Sequence, residues 1–118
     1  MVRPAAKDDR ESASVIDRAH LSRVTGGGIA LERELLDLFY TQAELLLERM
    51  RGSDAATVSA LAHTLKGSAL GIGATAVARA AGVLEGSGAE QETALLRLTI
   101  VVQEARVVIA GLLAPPSD

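Results

Sequence analysis

Apolar residues recur every three or four positions along most of this chain, the spacing that places side chains on one face of an α-helix. Ala, Leu, Glu and Arg, which favour helices, dominate these stretches. Breaks that contain glycine separate the stretches, at residues 26–28, 52–53, 71–73 and 86–88. The pattern predicts five helices, over residues 15–24, 29–51, from a cap at Ser53 or Asp54 to about residue 70, 74–85 and 90–113.

The first predicted helix has Ser14 as its N-cap and Asp17 as its capping-box partner. Its apolar stripe consists of Ile16, His20, Leu21 and Val24. Because His20 falls within this stripe, we interpret it as a packing residue and not as a functional histidine.

The second predicted helix carries two adjacent apolar rows. The first row faces the core and consists of Leu31, Leu35, Leu38, Phe39, Leu45, Leu46 and Met50. The second row needs cover from the first helix or from a partner protein, and it consists of Leu36, Tyr40, Ala43 and Leu47. We expect Leu36, Tyr40 and Leu47 to bind a partner.

The remaining stripes also keep helical spacing, and they consist of Val58, Leu61, Leu65 and Ala69, then Val77, Ala81 and Leu84, and finally Leu95, Leu98, Val102, Ala105, Ile109 and Leu112. The β-branched runs at residues 100–102 and 107–109 could form strands, but the sequence offers no other strand to pair with them. We therefore predict an all-α protein, an antiparallel four-helix bundle with a short N-terminal helix packed across it.

The chain has 118 residues, 48% of them hydrophobic and 23% charged, which is the composition of one globular domain. We assign residues 1–14 to a flexible N-terminal segment, 15–113 to the bundle and 114–118 to a C-terminal tail. A net charge of −3 and an aromatic content of 2% argue against nucleic acid as a partner. No apolar leader opens the chain and no apolar stretch approaches the roughly 20 residues of a membrane span, so we expect a cytoplasmic protein without membrane contact.

Most catalytic and metal chemistries lack the residues that they need. The absence of cysteine excludes thiol catalysis and Cys-ligated metals. The two histidines, His20 and His63, lack the spacing of a metal site, and we expect neither a metal nor a cofactor. In a P-loop the lysine follows the glycines, whereas here Lys66 precedes them, and a helical chain has no strand-to-helix elbow for a catalytic serine.

His63 is the remaining candidate for chemistry. Its helical phase differs by about 200° from that of the core positions Leu61 and Leu65, so its imidazole should point to solvent. The same face continues at three, four and seven positions further on with Lys66, Gly67 and Leu70. An imidazole can attack phosphorus, an ammonium can hold phosphoryl oxygens and a glycine can let another protein approach. An ordinary solvated face, with a glycine that lets two helices pack closely, fits the same spacing.

The sequence AHTLKGSA at residues 62–69, continued by GIGA at 71–74, resembles the signature of histidine-containing phosphotransfer (Hpt) domains of phosphorelays. Other segments also resemble the family pattern, namely ID at 16–17, TGG at 25–27, ELLDLF at 34–39 with Gln42, and LE at 84–85. The resemblance therefore covers about residues 15–113. It implies a four-helix bundle whose central histidine accepts a phosphoryl group from one receiver-domain aspartate and passes it to another. One departure is Gly28, where the family often has Asp or Asn.

By this resemblance, His63 is the phosphoacceptor, Lys66 stabilises the phosphate, Gly67 clears the approach and Glu85 hydrogen-bonds the second ring nitrogen. The implied partners are receiver domains of response regulators or of hybrid histidine kinases, which dock over Leu70, Gly67 and the second row of the second helix. The implied protein is a monomer without kinase activity, and any magnesium belongs to the receiver. Two alternatives stay open, namely a helical adaptor that binds a partner through the second row, and the phosphoacceptor domain of a histidine kinase.

Overall fold

The computed structural model describes residues 15–115, and this range contains five α-helices and no strand. The helices are α1 (Arg18–Val24), α2 (Ile29–Met50), α3 (Ala55–Ile72), α4 (Thr75–Glu85) and α5 (Gln91–Leu113), with a 3₁₀ turn at Gly88–Glu90 before α5. The prediction of an all-α bundle is confirmed. The β-branched runs of α5 are helical, because its buried residues Ala94, Leu98, Val102, Ala105 and Ile109 follow helical spacing.

Helices α2 to α5 form a bundle around one apolar core. Helix α3 packs against α2 and α4, and α5 packs against the same two helices, so α3 and α5 occupy opposite corners. Each helix contributes fully buried side chains, among them Leu21, Leu47, Leu65, Leu84 and Ile109. Within residues 15–115 no polar or charged residue is buried, so apolar burial stabilises the core and the polar groups remain at the surface.

The short helix α1 is fixed to the turn between α3 and α4. The backbone N–H of Asp17 donates to the carbonyl oxygen of Gly73 at 2.8 Å, and His20 Nε2 donates to the carbonyl oxygen of Gly71 at 3.2 Å. Gly73 has a φ of +81°, and a Cβ at this position would lie 2.8 Å from the carbonyl oxygen of Asp17. Glycine is therefore required at residue 73 by both the backbone conformation and the close approach of α1.

Three expectations about α1 are wrong. Asp17 is the N-cap itself, because its carboxylate accepts a hydrogen bond from the backbone N–H of His20 and the helix begins at Arg18. The predicted cap Ser14 lies outside the described residues. His20 is half-buried and bonds to α3 instead of packing in an apolar stripe, and Val24 is exposed. Because α1 crosses the end of α3, only Ile16 and Leu21 reach the core here.

The second row of α2 lies in the core, contrary to the expectation that it binds a partner. Leu36 is 4% exposed and Leu47 is 0% exposed, while Tyr40 is half-buried beneath the guanidinium of Arg106 on α5. The helices that flank α2, namely α3 and α5, cover this row. In the predicted first row Phe39, Leu46 and Met50 are buried as expected, whereas Leu31, Leu38 and Leu45 are exposed.

Helix α3 ends two residues later than predicted, at Ile72. Asp54 caps its start by accepting a hydrogen bond from the backbone N–H of Thr57 at 2.8 Å, which also holds the pKa of Asp54 below its ordinary value. At the other end Gly73 adopts the left-handed conformation and donates to the carbonyl oxygens of Ala69 and Leu70. The helix from residue 63 to residue 72 is therefore continuous, and side chains along it keep a fixed phase relative to His63.

Candidate functional site

His63 lies on the outer face of α3, where 68% of its side chain is exposed to solvent. Its neighbours Ala62 and Leu65 are completely buried and fix which side of the helix faces the core. The prediction that the imidazole points to solvent is confirmed.

Glu85, the last residue of α4, holds one nitrogen of this imidazole. The Nδ1 of His63 lies 2.8 Å from Glu85 Oε2. Because a carboxylate only accepts hydrogen bonds, Nδ1 carries the hydrogen, and in the neutral ring Nε2 then keeps its lone pair. No partner for Nε2 occurs among the residues that the structure describes. The contact implied by the resemblance is thus present, and the ring is oriented with Nε2 as the free nucleophilic atom.

Ser59 of α3 forms a hydrogen bond to the end of α4 and so positions Glu85. Its hydroxyl donates to the backbone carbonyl oxygen of Glu85 at 2.9 Å. This residue was not predicted as part of the site. The available signal was its place four residues before His63, on the same side of α3.

The ammonium of Lys66 binds the second oxygen of the same carboxylate, with Nζ 3.1 Å from Glu85 Oε1. Its aliphatic stem passes over Gly82 of α4, where a Cβ would lie 3.5 Å from Lys66 Cδ. A side chain longer than alanine at residue 82 would therefore press on the stem of Lys66. Gly82 was not predicted as part of the site either, although a glycine inside a helix costs about 1 kcal/mol relative to alanine and so indicates a local requirement.

Both hydrogen-bond donors of the site act on the ionisation of Glu85. The hydrogen bond from Lys66, followed by the one from His63, holds the pKa of Glu85 below its ordinary value. Glu85 is therefore a carboxylate at neutral pH. A single anion thus orients an imidazole and an ammonium that share one side of α3.

Beyond His63, the positions four and eight residues further along the same side of α3 are glycines. Gly67 and Gly71 are both exposed, and a Cβ at either position would meet no other described atom within 4 Å apart from the local helix backbone. Gly67 is therefore not required for the close packing of two helices, which was the structural alternative for this residue. Leu70, next to this strip, is 53% exposed.

An apolar groove begins at Gly71 and extends onto α1 and α2. It is lined by Val24, Leu35, Leu38, Phe39, Gln42, Ser68, Gly71 and Ile72. Leu38 is 63% exposed at this groove although it belongs to the row that was predicted to face the core. Of the four residues predicted to bind a partner, only Leu70 is exposed, and Val24 and Leu38 were missed as surface residues.

Within residues 15–115, no three histidine, aspartate or glutamate side chains are grouped so that they could hold a metal ion. In the same range no helix combines the length and apolar character needed to cross a bilayer. The site at His63 offers an imidazole, an ammonium and a carboxylate for chemistry.

Comparison with known protein families gives one finding. The family model of the Hpt domain matches residues 34–108, which is more than half of the chain. The matched range includes His63, Lys66, Gly67, Leu70 and Glu85, while α1 lies outside it. No curated protein and no solved structure gives a match.

Proposed function

The chain belongs to the Hpt domain family, and on this basis we propose that it is a cytoplasmic phosphotransfer protein whose His63 accepts and donates a phosphoryl group between receiver-domain aspartates. Members of this family act in phosphorelays. The observation that carries the proposal is the state of the His63 ring, with Nδ1 held by Glu85 at 2.8 Å and most of the side chain exposed.

The proposed step is a nucleophilic displacement at phosphorus. The lone pair of His63 Nε2 attacks the phosphorus of an aspartyl phosphate, so an N–P bond forms while the bond between phosphorus and the aspartate oxygen breaks. The aspartate leaves as a carboxylate, and Nδ1 keeps its hydrogen throughout. The ring then carries a positive charge, which the carboxylate of Glu85 compensates. In the reverse step a second receiver aspartate takes the phosphoryl group and the ring becomes neutral again.

Lys66 supplies positive charge beside the transferred group. Phosphoryl transfer depends on positioning and on compensation of the charge of the phosphoryl oxygens. Glu85 holds the ammonium of Lys66 at 3.1 Å, on the side of α3 where His63 binds the same carboxylate. The ammonium can therefore contact an oxygen of the phosphoryl group without a large movement of the side chain.

The receiver domain docks over the glycine strip and the apolar groove in this proposal. Gly67 and Gly71 leave space for a loop that must bring its aspartate within reach of Nε2. Leu70 and Leu38 provide apolar contact on either side of that strip. This surface replaces the second row of α2, whose leucines are buried.

The protein carries the phosphoryl group and does not generate it. Magnesium in the reaction belongs to the acidic site of the receiver, where the aspartate is phosphorylated. A domain of this kind takes phosphate from a receiver without ATP, whereas the phosphoacceptor domain of a histidine kinase takes it from ATP on a separate catalytic domain.

Incubation with a radiolabelled, phosphorylated receiver domain in the absence of ATP tests the proposal. We expect acid-labile, base-stable label on the wild-type protein and none on His63→Gln. His20→Gln is the matched control, because it replaces the other histidine of the chain. This variant should become labelled as the wild-type protein does. Label that persists in His63→Gln would overturn the assignment. Binding of the receivers without any transfer of label would identify a helical adaptor.

The docking surface is tested separately by charge substitutions. Leu38→Glu should weaken receiver binding at least tenfold, because a carboxylate would then be buried against apolar side chains. Leu96→Glu is the control, since Leu96 on α5 is as exposed as Leu38 and lies away from the groove. Equal receiver affinity of the two variants would contradict docking at the groove.

A further inference from the structure

Helix α5 presents an apolar stripe to solvent at the corner of the bundle opposite His63. Leu96, Ile100 and Val107 are 64%, 53% and 73% exposed. None of the helices within residues 15–115 covers them, although residues of α5 on the inner side are buried. Three large apolar side chains in one line on the surface of a small domain are typical of an interaction site.

The stripe follows a heptad repeat. With Ile100 at position a, every a and d position from residue 93 to residue 110 is exposed, with Thr93, Ile100 and Val107 at a and Leu96, Gln103 and Ala110 at d. This three-and-four spacing is the seam of a two-helix coiled coil. The polar member Gln103 donates its amide to Glu44 at 3.0 Å, so its polar end is already satisfied within the chain and its methylene groups can pack in a seam.

One flank of the stripe carries opposite charges at matched positions. Arg97 and Glu104 lie seven residues apart, and both line a shallow groove beside Leu96 and Ile100. On the other flank the guanidinium of Arg106 is occupied by the Tyr40 ring, the Tyr40 carbonyl oxygen and Glu44. Glu92 is the exposed charge of this second flank and lies at its N-terminal end. The pair of opposite charges is on the first flank, and a second copy of that flank in the reversed direction is complementary to it.

We propose that two copies of this chain associate through the exposed face of α5 in an antiparallel, two-fold arrangement. Leu96 packs against Val107 of the second copy, and Ile100 packs beside Gln103 of the second copy. Arg97 pairs with Glu104 of the second copy, and two-fold symmetry forms this ion pair twice. Because α3 lies at the opposite corner of the bundle, both His63 side chains stay accessible in the dimer.

The association is reversible. The seam extends over about 18 residues, or about 27 Å of helix, and half of its positions hold small or polar residues. We expect a dissociation constant on the order of 10 μM, weaker than that of an obligate dimer with a larger apolar interface.

Sedimentation equilibrium of the whole chain over a range of concentrations tests the proposal. The wild-type protein should shift from monomer to dimer near the expected constant. Leu96→Glu should raise the dissociation constant at least tenfold, because it brings a carboxylate into the seam. Leu38→Glu is the matched control and should dimerise as the wild type does. A wild-type protein that stays monomeric at millimolar concentration would overturn the proposal, and so would a dimer that Leu38→Glu disrupts and Leu96→Glu does not.

Charge reversal tests the antiparallel arrangement. Arg97→Glu and Glu104→Arg should each weaken the dimer several-fold at low salt, since like charges then face each other across the two-fold axis. The double variant should recover the wild-type affinity. Failure of the double variant to recover affinity contradicts this pairing. Because the readout is mass and not phosphate transfer, the result is independent of the role of His63.

Discussion

The two faces of α3 differ in almost every physical property. The inner face carries Val58, Ala62, Leu65, Ala69 and Ile72, all buried against neighbouring helices. The outer face carries His63, Lys66, Gly67, Leu70 and Gly71, which are exposed or half-exposed. The side chains that stabilise the fold and those available for chemistry thus lie on opposite faces of one helix of 18 residues.

The difference explains why the outer face can hold residues that are poor choices for stability. Gly67 and Gly71 each lower helix propensity by about 1 kcal/mol relative to alanine. The inner face compensates through complete burial of its apolar side chains. Substitutions on the two faces should therefore separate effects on stability from effects on phosphoryl transfer.

The largest effect on stability is expected at the inner face. Leu65→Ala should lower the free energy of unfolding by about 2–5 kcal/mol, because it leaves a cavity in a completely buried site. Leu70→Ala, on the outer face, should change it by less than about 0.5 kcal/mol and weaken receiver binding. Urea unfolding followed by circular dichroism measures the first quantity, and a receiver titration measures the second. Equal destabilisation by both variants would remove the distinction between the faces.

Two glycines of the same region sharpen the comparison. Gly73→Ala should destabilise the protein by about 2–4 kcal/mol, because its φ is positive and the new Cβ would lie 2.8 Å from the carbonyl oxygen of Asp17. Gly67→Ala should stabilise it by about 0.5–1 kcal/mol, because the helix gains propensity and no neighbour is displaced.

Transfer should move in the opposite direction at Gly67. The rate should fall from glycine to alanine to leucine, because each larger side chain obstructs the approach of the receiver to Nε2. A thermal melt and a transfer time course on the same three proteins measure both effects. A wild-type rate for Gly67→Leu would show that clearance is not the reason for this glycine.

Lys66→Ala should slow phosphoryl transfer about 10–100-fold, because one charge-stabilising group is lost. The free energy of unfolding should change by less than about 1 kcal/mol, since the ion pair with Glu85 lies at the surface. Arg49→Ala, which removes a cation from the exposed side of α2, is the control for net charge. If both variants transfer at the same rate, Lys66 is an ordinary solvated cation.

The sequence predicts the faces of α3 correctly and those of α2 only in part. Helical phase alone was sufficient for α3, because His63 and Leu65 differ by about 200° and no other assignment of faces is consistent with burial of the leucines. For α2 it was insufficient, since leucines occur around most of the helix and two neighbouring helices compete to cover it. The row that contains Leu36 and Leu47 is in contact with the core because α3 and α5 both flank it, which is a property of the tertiary arrangement.

Contacts between helices were predictable only where a motif implied them. Glu85 was identified with His63 through the resemblance to the family, and the two side chains are in contact. Ser59 and Gly82 were not identified, because their roles depend on the distance between α3 and α4, and a single sequence does not contain that distance.

The smallest expected effect concerns the pH dependence of stability at Glu85. Its pKa is held below the ordinary value first by Lys66 and then by His63, so the folded protein favours the charged form. A group with a lowered pKa in the folded state stabilises the protein above its unfolded pKa, and this contribution disappears as the pH falls through the folded pKa. The free energy of unfolding of wild type should therefore exceed that of Glu85→Gln at about pH 7, and the difference should shrink as the pH falls below the ordinary pKa of a glutamate. Urea titrations of both proteins at several pH values measure the difference, with Glu48→Gln on the exposed side of α2 as the control.

A difference that stays constant with pH would mean that Glu85 acts through the shape of its side chain and not through its charge. Its role in orienting His63 would then rest on the hydrogen bond to Nδ1 alone, which the amide oxygen of glutamine can also accept.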